Sequence, residues 1–234
     1  MVKKRRKGTA IRDPERVVQT SESFAVGALL SLAGGYLDAY SYLGRGGVFA
    51  NAETGNIVLL AIRLISGEWG AALRYLFPIA AYGLGVLIAE TVRGRRGSMG
   101  RLHWRQLLVL LEMAVLGVSA LLPQSMNAVV NSGISMVCGM QVAAFAKFHG
   151  HAMATTMCTG NLRSGTQSLC RYRQTGDRKS LQKGILYFMC ILCFMLGAML
   201  GGGVTAYLAE RAVLVPAGIL AGVLALMFSE GRYE

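Results

Sequence analysis

The sequence predicts an all-α integral membrane protein, with about six transmembrane helices and two re-entrant half-helices arranged as two inverted repeats. Three observations carry that expectation. Apolar residues gather in long runs at 24–43, 75–92, 106–122, 129–148, 185–208 and 212–228, near or above the roughly 20 residues a helix needs to cross a bilayer. Basic residues gather in three blocks beside those runs. A polar tripeptide, Thr-Gly-Asn, interrupts apolar sequence twice, at 54–56 and again at 159–161.

Of 234 residues, 53% are hydrophobic and 15% charged, and mean hydropathy is +0.45. A chain this short cannot bury that much apolar sequence in one water-soluble core. The net charge of +12 does not point to nucleic acid. Its blocks, 3–16, 93–105 and 163–183, flank apolar runs as cytoplasmic loops on anionic lipid do, and no nucleic-acid recognition fold accompanies them. The basic N-terminus "MVKKRRKGTAIRDPERVVQT" is not followed by a short apolar region and a small-residue cleavage site. The first run is therefore expected to be a retained helix behind a cytoplasmic tail.

Most of the five cysteines lie inside apolar runs, which does not suit a disulfide framework. Cys190-x-x-Cys193 falls within a helix and reads as packing, and His149-x-His151 lacks a third ligand cluster. No metal or cofactor is expected. Neither G-x-S-x-G nor H-E-x-x-H occurs, so the chain is not expected to be an enzyme.

Superposing the two triplets lays 24–92 over 129–208. Gly34 then meets Gly139, Ala39 meets Ala144 and Tyr40 meets Phe145. "YGLGVL" (82–87) meets "FMLGAM" (194–199) across a seven-residue insertion, "RYRQTGD". The expected organisation is a tail at 1–23, a repeat at 24–122, a linker at 123–128, a second repeat at 129–228 and a tail at 229–234.

Charge then sets topology. Were both broken segments to span fully, the loop 93–105, with five Arg and no acid, would face outward, against the positive-inside rule. Were each to enter and return on one side, six crossings would remain, and of 24 Lys and Arg only Arg45, Arg63, Arg74 and Arg211 would lie outside. Both termini are then cytoplasmic, and the repeats run in opposite senses.

A helix broken inside a bilayer needs partners for its freed backbone groups, or a wet cavity to face. Thr and Asn are suited to cap half-helices starting near Ile57 and Leu162, with Gly easing the turn. Each helix start carries about half a positive charge and favours an anion. Candidate binding residues are Asp38, Asn51, Glu53, Thr54, Gly55 and Asn56 in the first half. In the second they are Gln141, Thr155, Thr156, Thr159, Gly160, Asn161 and Arg163. Asp38 is expected either to be protonated or to pair with Lys147, Arg163 or the first half-helix start at Ile57. Glu112 is a second acid deep in an apolar run. Gly197-x-x-x-Gly201 with Gly202 and Gly203 reads as a helix-packing stripe, a homodimer contact being the other use. Trp69 and Trp104 fall where interfacial aromatics are expected.

"GGYLDAYSYLGRGGVFANAETGNIVLL" and "MQVAAFAKFHGHAMATTMCTGNLRSGT" resemble the YoaK-like family of bacterial inner-membrane proteins, a domain of unknown function. The resemblance runs from about residue 24 onward and implies a compact protein with about six crossings. Its shared signature falls on Gly34, Asp38, Ala39, Phe49, Thr54, Gly55 and Asn56, then on Gln141, Thr159, Gly160 and Asn161. An uncharged residue is usual in the family at the position of Glu53, so the resemblance assigns that acid no family-wide role. It implies no substrate. The expected function is a small secondary transporter in the inner membrane, proton-coupled through Asp38, with a midplane site between the triplets. The expected partners are lipid and a small solute or ion, anions included. The alternatives are a passive channel and a non-transporting structural or regulatory membrane protein.

Overall fold

A computed structural model describes residues 23–94, 104–148, 151–152 and 155–229. The basic tail through residue 22, residues 95–103, His149 and the C-terminal tail from 230 lie outside the described residues, as do the side chains of Lys147 and His151. The fold is all-α, apart from a two-residue ladder of β1 (Lys147–Phe148) and β2 (His151–Ala152). The described residues form eight α-helices: α1 (Phe24–Gly44), α2 (Glu53–Ile65), α3 (Trp69–Gly94), α4 (Trp104–Ser119), α5 (Asn127–Ala144), α6 (Cys158–Thr175), α7 (Arg178–Leu208) and α8 (Leu214–Ser229). Two stretches, Trp69–Gly94 and Arg178–Phe228, are long and apolar enough to cross a membrane by length and composition. Both turn large apolar side chains outward, among them Phe77, Leu87, Met199 and Leu200.

The two halves pack in matching pairs. The first helix of each half lies on the third helix of the other, α1 on α7 and α5 on α3. The broken-segment helices form hairpins with their successors, α2 with α3 and α6 with α7, while α4 packs on α5 and α8 on α1. Glycines make the long crossings close. A Cβ on Gly35 would be driven into the Phe194 carbonyl and one on Gly139 into the Tyr82 carbonyl; Gly197 and Gly85 meet the carbonyls of Leu32 and Met136 in the same way. These four contacts correct the sequence register by one residue in the first helix: Gly35, not Gly34, is the counterpart of Gly139. The shift is absorbed in the loops after α1 and α5, which differ in length. Gly197 and Gly201 are spent within the subunit, against α1.

Hydrogen bonds fix which helix ends lie together. Arg45, just past α1, is fully buried and not at a loop surface. Its guanidinium donates to Tyr40 Oη at 2.7 Å, the Ser119 carbonyl at 2.8 Å, the Leu122 carbonyl at 2.9 Å and Asn127 Oδ1 at 3.2 Å. Tyr36 and Tyr40 donate to the carbonyls of Ala212 and Glu210 at 2.8 and 3.0 Å. The C-termini of α1, α4 and α7 and the starts of α5 and α8 therefore share one end of the bundle. At the other end Gln106 reaches the Met227 carbonyl at 3.5 Å. Trp104 is buried in the core rather than placed as an interfacial residue, whereas Trp69 is exposed. The basic block 163–183 is helical through most of its length, not a loop. α6 runs to Thr175, Gly176 takes the left-handed conformation (φ 69°), and Asp177 caps α7.

Candidate functional site

After Gly44 the chain reverses through Gly46 and Gly47, whose φ values of 90° and 79° favour residues without a Cβ. It then runs back along α1 to the level of Gly34, where Asn51 Nδ2 donates to the Gly34 carbonyl at 3.2 Å. Asp38 meets this returning segment. Its Oδ1 accepts from the N–H of Asn51 at 2.6 Å and of Ala52 at 3.4 Å. These donors belong to the start of α2, whose cap residue is Ala52. The anion expected at the first half-helix is thus the chain's own carboxylate. Of the partners expected for Asp38, the helix start is the one found, and Arg163 is exposed on α6.

The helices start four residues earlier than expected, at Glu53 and Cys158, so Thr-Gly-Asn lies in the first turn and does not cap it. Its function in the first half is legible atom by atom. Asn56 is fully buried and pins the returning segment: its Oδ1 accepts from Phe49 N at 3.0 Å, and its Nδ2 donates to the Phe49 carbonyl at 2.8 Å and to Glu53 Oε2 at 2.9 Å. Gly55 leaves room for the Phe49 ring, which stacks on Tyr42 with centroids 4.6 Å apart. Thr54 is left exposed to the space beyond. The second half repeats the geometry. Its cap residue Met157 has φ −95° and ψ 73°, against −82° and 63° at Ala52, and Asn161 is likewise buried.

Both helix starts open on one cavity of about 650 Å³. It brings together Asp38, Asn51, Glu53 and Thr54 from the first half with Thr156, Thr159 and Gly160 from the second. Gly34 makes this approach possible, since a Cβ there would meet Thr156 Cγ2 at 2.5 Å and Asn51 Nδ2 at 3.8 Å. Sequence reasoning missed the walls: Tyr42, Phe49, Tyr82, Phe194, Met157 and Cys158 also line the cavity. One signal was available, because Tyr82 and Phe194 head the matched "YGLGVL" and "FMLGAM".

Gly55, Asn56, Asn161 and Arg163 do not line the cavity, nor do Gln141 and Thr155. Those last two belong to a separate buried site. Glu112 of α4 is 2% exposed. Gln141, its amide nitrogen turned to the acid, donates to Glu112 Oε1 at 2.7 Å and Oε2 at 3.3 Å, with Thr155 Oγ1 3.5 Å away. Among the described residues, no group of three His, Cys, Asp or Glu has metal-binding geometry.

Fold and site together define an α-helical bundle in which the starts of α2 and α6 open on one cavity. The chain belongs to the family described as "Protein of unknown function (DUF1275)", which it matches over residues 26–226. No curated protein matches it, and no solved structure does.

Proposed function

We propose that the chain is a multi-pass inner-membrane protein of the YoaK-like kind, acting as a small secondary transporter with its binding site in the shared cavity. Six helices (α1, α3, α4, α5, α7 and α8) cross the bilayer, and α2 and α6 are re-entrant. Both termini are cytoplasmic and the halves are inverted repeats. The charge distribution supports this orientation, and the outward-facing apolar side chains on α3 and α7 support a lipid surface. α2, at 13 residues, is the shortest of the eight α-helices described, and α6 carries Arg163, Arg171 and Arg173, which the hydrocarbon region disfavours.

The single observation that carries the transport reading is that two half-helix starts, more than a hundred residues apart in sequence, line one cavity. Such a cavity at the junction of two exchangeable halves is where alternating access acts. Asp38 is occupied in holding the start of α2. Glu53, which lines the cavity with its carboxylate bound by the Asn56 amide and beside the Ser135 hydroxyl, is therefore the acid placed to exchange a proton with solute. The test is solute flux in proteoliposomes with and without a pH gradient. Accumulation against a gradient supports the transporter. Passive leak would replace it with a channel, and no flux of any solute with a structural or regulatory role.

A further inference from the structure

The cavity carries two unlike poles, and they come from a difference between the halves. In the first half, the N–H groups of Asn51 and Ala52 are taken by Asp38. Their counterparts are Thr156 and Met157, but the residue aligned with Asp38 is Ala143, or Val142 in the corrected register, and neither side chain can accept a hydrogen bond. Among the described residues no acceptor meets the N–H of Thr156 or Met157, and α6 has no acid in its first turn. Thr156 is 7% exposed, lines the cavity, and its hydroxyl has no partner. This side offers hydrogen-bond donors and a helix N-terminus, which suit a carboxylate. The first half offers Glu53, in the first turn of α2, which lines the cavity with one carboxylate oxygen bound to Asn56 and the Ser135 hydroxyl beside the group. No described cation pairs with it; the ion pairs found are Arg63–Glu68 and Arg93–Glu90. An ammonium suits that carboxylate. The rings of Tyr42, Tyr82 and Phe194 line the same cavity.

We infer that the cavity binds a small zwitterion carrying an ammonium and a carboxylate, of the neutral α-amino-acid class. The ammonium lies at Glu53, the carboxylate at Thr156 and the start of α6, and an apolar side chain lies against the rings. A solute with no net charge also satisfies both poles without bringing an unpaired ion into the interior. The inference rests on the cavity being the transporter's binding site.

Binding is measured on the full-length protein in detergent, by calorimetry, with three probes of one shape: L-leucine, isoamylamine, which lacks the carboxylate, and isocaproate, which lacks the ammonium. L-leucine is expected to bind at least about tenfold more tightly than either, because each analogue leaves one pole unpaired. Glu53→Gln, which keeps an acceptor for Asn56, is expected to weaken L-leucine about tenfold and leave isocaproate unchanged. Thr156→Val is expected to weaken L-leucine and leave isoamylamine unchanged. Equal or tighter binding of either analogue overturns the inference, as does the absence of L-leucine binding to the folded protein. Flux separates the two readings. L-leucine binding without flux rejects transport and keeps the zwitterion site, and coupled flux of another solute with no L-leucine binding does the reverse.

Discussion

At the residue scale, Asp38 and Arg45 show how the same cost, a charged group taken out of water, is met in two ways. Asp38 is 6% exposed and has backbone N–H groups as partners. An oxygen is needed there more than a charge. Asp38→Asn is therefore expected to keep nearly wild-type thermal stability in detergent. Asp38→Ala, which strands two buried donors, should lose about 1–3 kcal/mol. Equal losses for the two variants would mean the charge itself holds α2 in place. Arg45 binds one hydroxyl, one side-chain amide and two carbonyls, and its own carbonyl accepts from Asn131 at 2.9 Å. Arg45→Met leaves those acceptors buried and untethers three helix ends, and is expected to cost about 3–5 kcal/mol. A chemical-denaturation midpoint close to wild type would contradict that assignment. The acid Asp38 was legible in the sequence because ionisable groups in apolar runs are conspicuous. Its partner, the start of α2, was among those expected, but the segment that returns along α1 and carries the donors was not, since no side-chain pattern reports it. The burial of Arg45 was not legible, because charge counting assigns a side of the membrane and says nothing about depth.

At the element scale, helices cross where glycine removes a Cβ from a backbone contact. Gly35→Ala and Gly197→Ala each force a methyl into a carbonyl of the facing helix, and neither backbone can yield without parting α1 from α7. Each is expected to destabilise by about 1–3 kcal/mol or more. Gly83, on α3, provides the contrast, because a methyl there would meet nothing within 4 Å. Gly83→Ala should be neutral or stabilising by up to about 1 kcal/mol. Thermal unfolding of the three variants side by side checks the pattern, and a loss at Gly83 equal to that at Gly35 would reject it. The start of α7 adds a pH dependence. The Ser180 hydroxyl and the Lys179 N–H hold the Asp177 carboxyl below the usual carboxylate range. Its contribution is present above the ordinary Asp pKa and is lost as pH falls through the lowered value. Asp177→Asn should therefore flatten the acid side of the stability profile and leave the alkaline side unchanged. The helices themselves were largely legible from apolar runs. The start of α7 was not, because its first turn is polar and only the cap at Asp177 announces it. The helix starts at 53 and 158 were read four residues late, since Thr and Asn are good caps in general but here serve inside the first turn.

At the scale of the whole molecule, the matched packing of α1 on α7 and α5 on α3 makes the halves interdependent. Neither half completes a crossing pair alone, and the cavity takes its lining from both. Of the thirteen residues expected at a site between the two Thr-Gly-Asn triplets, seven line the cavity. Gln141, drawn in by polarity and by the shared signature, instead faces Glu112, and Thr155, drawn in by polarity, lies beside Gln141; contact between α4 and α5 is a tertiary fact that local sequence does not encode. The orientation proposed for the bundle predicts that a cysteine placed at residue 98 is not labelled by an impermeant thiol reagent added outside intact cells. The central claim is that the two broken segments end at one cavity inside the membrane. It is tested most directly by cross-linking Thr54→Cys to the native Cys158 in membranes, the other four cysteines having been replaced. A bifunctional thiol reagent about 10 Å long, the width of one helix, is expected to join the pair within a single chain, with L-leucine slowing the reaction. Failure to cross-link, while both thiols remain singly reactive, would place the segments apart and contradict the account.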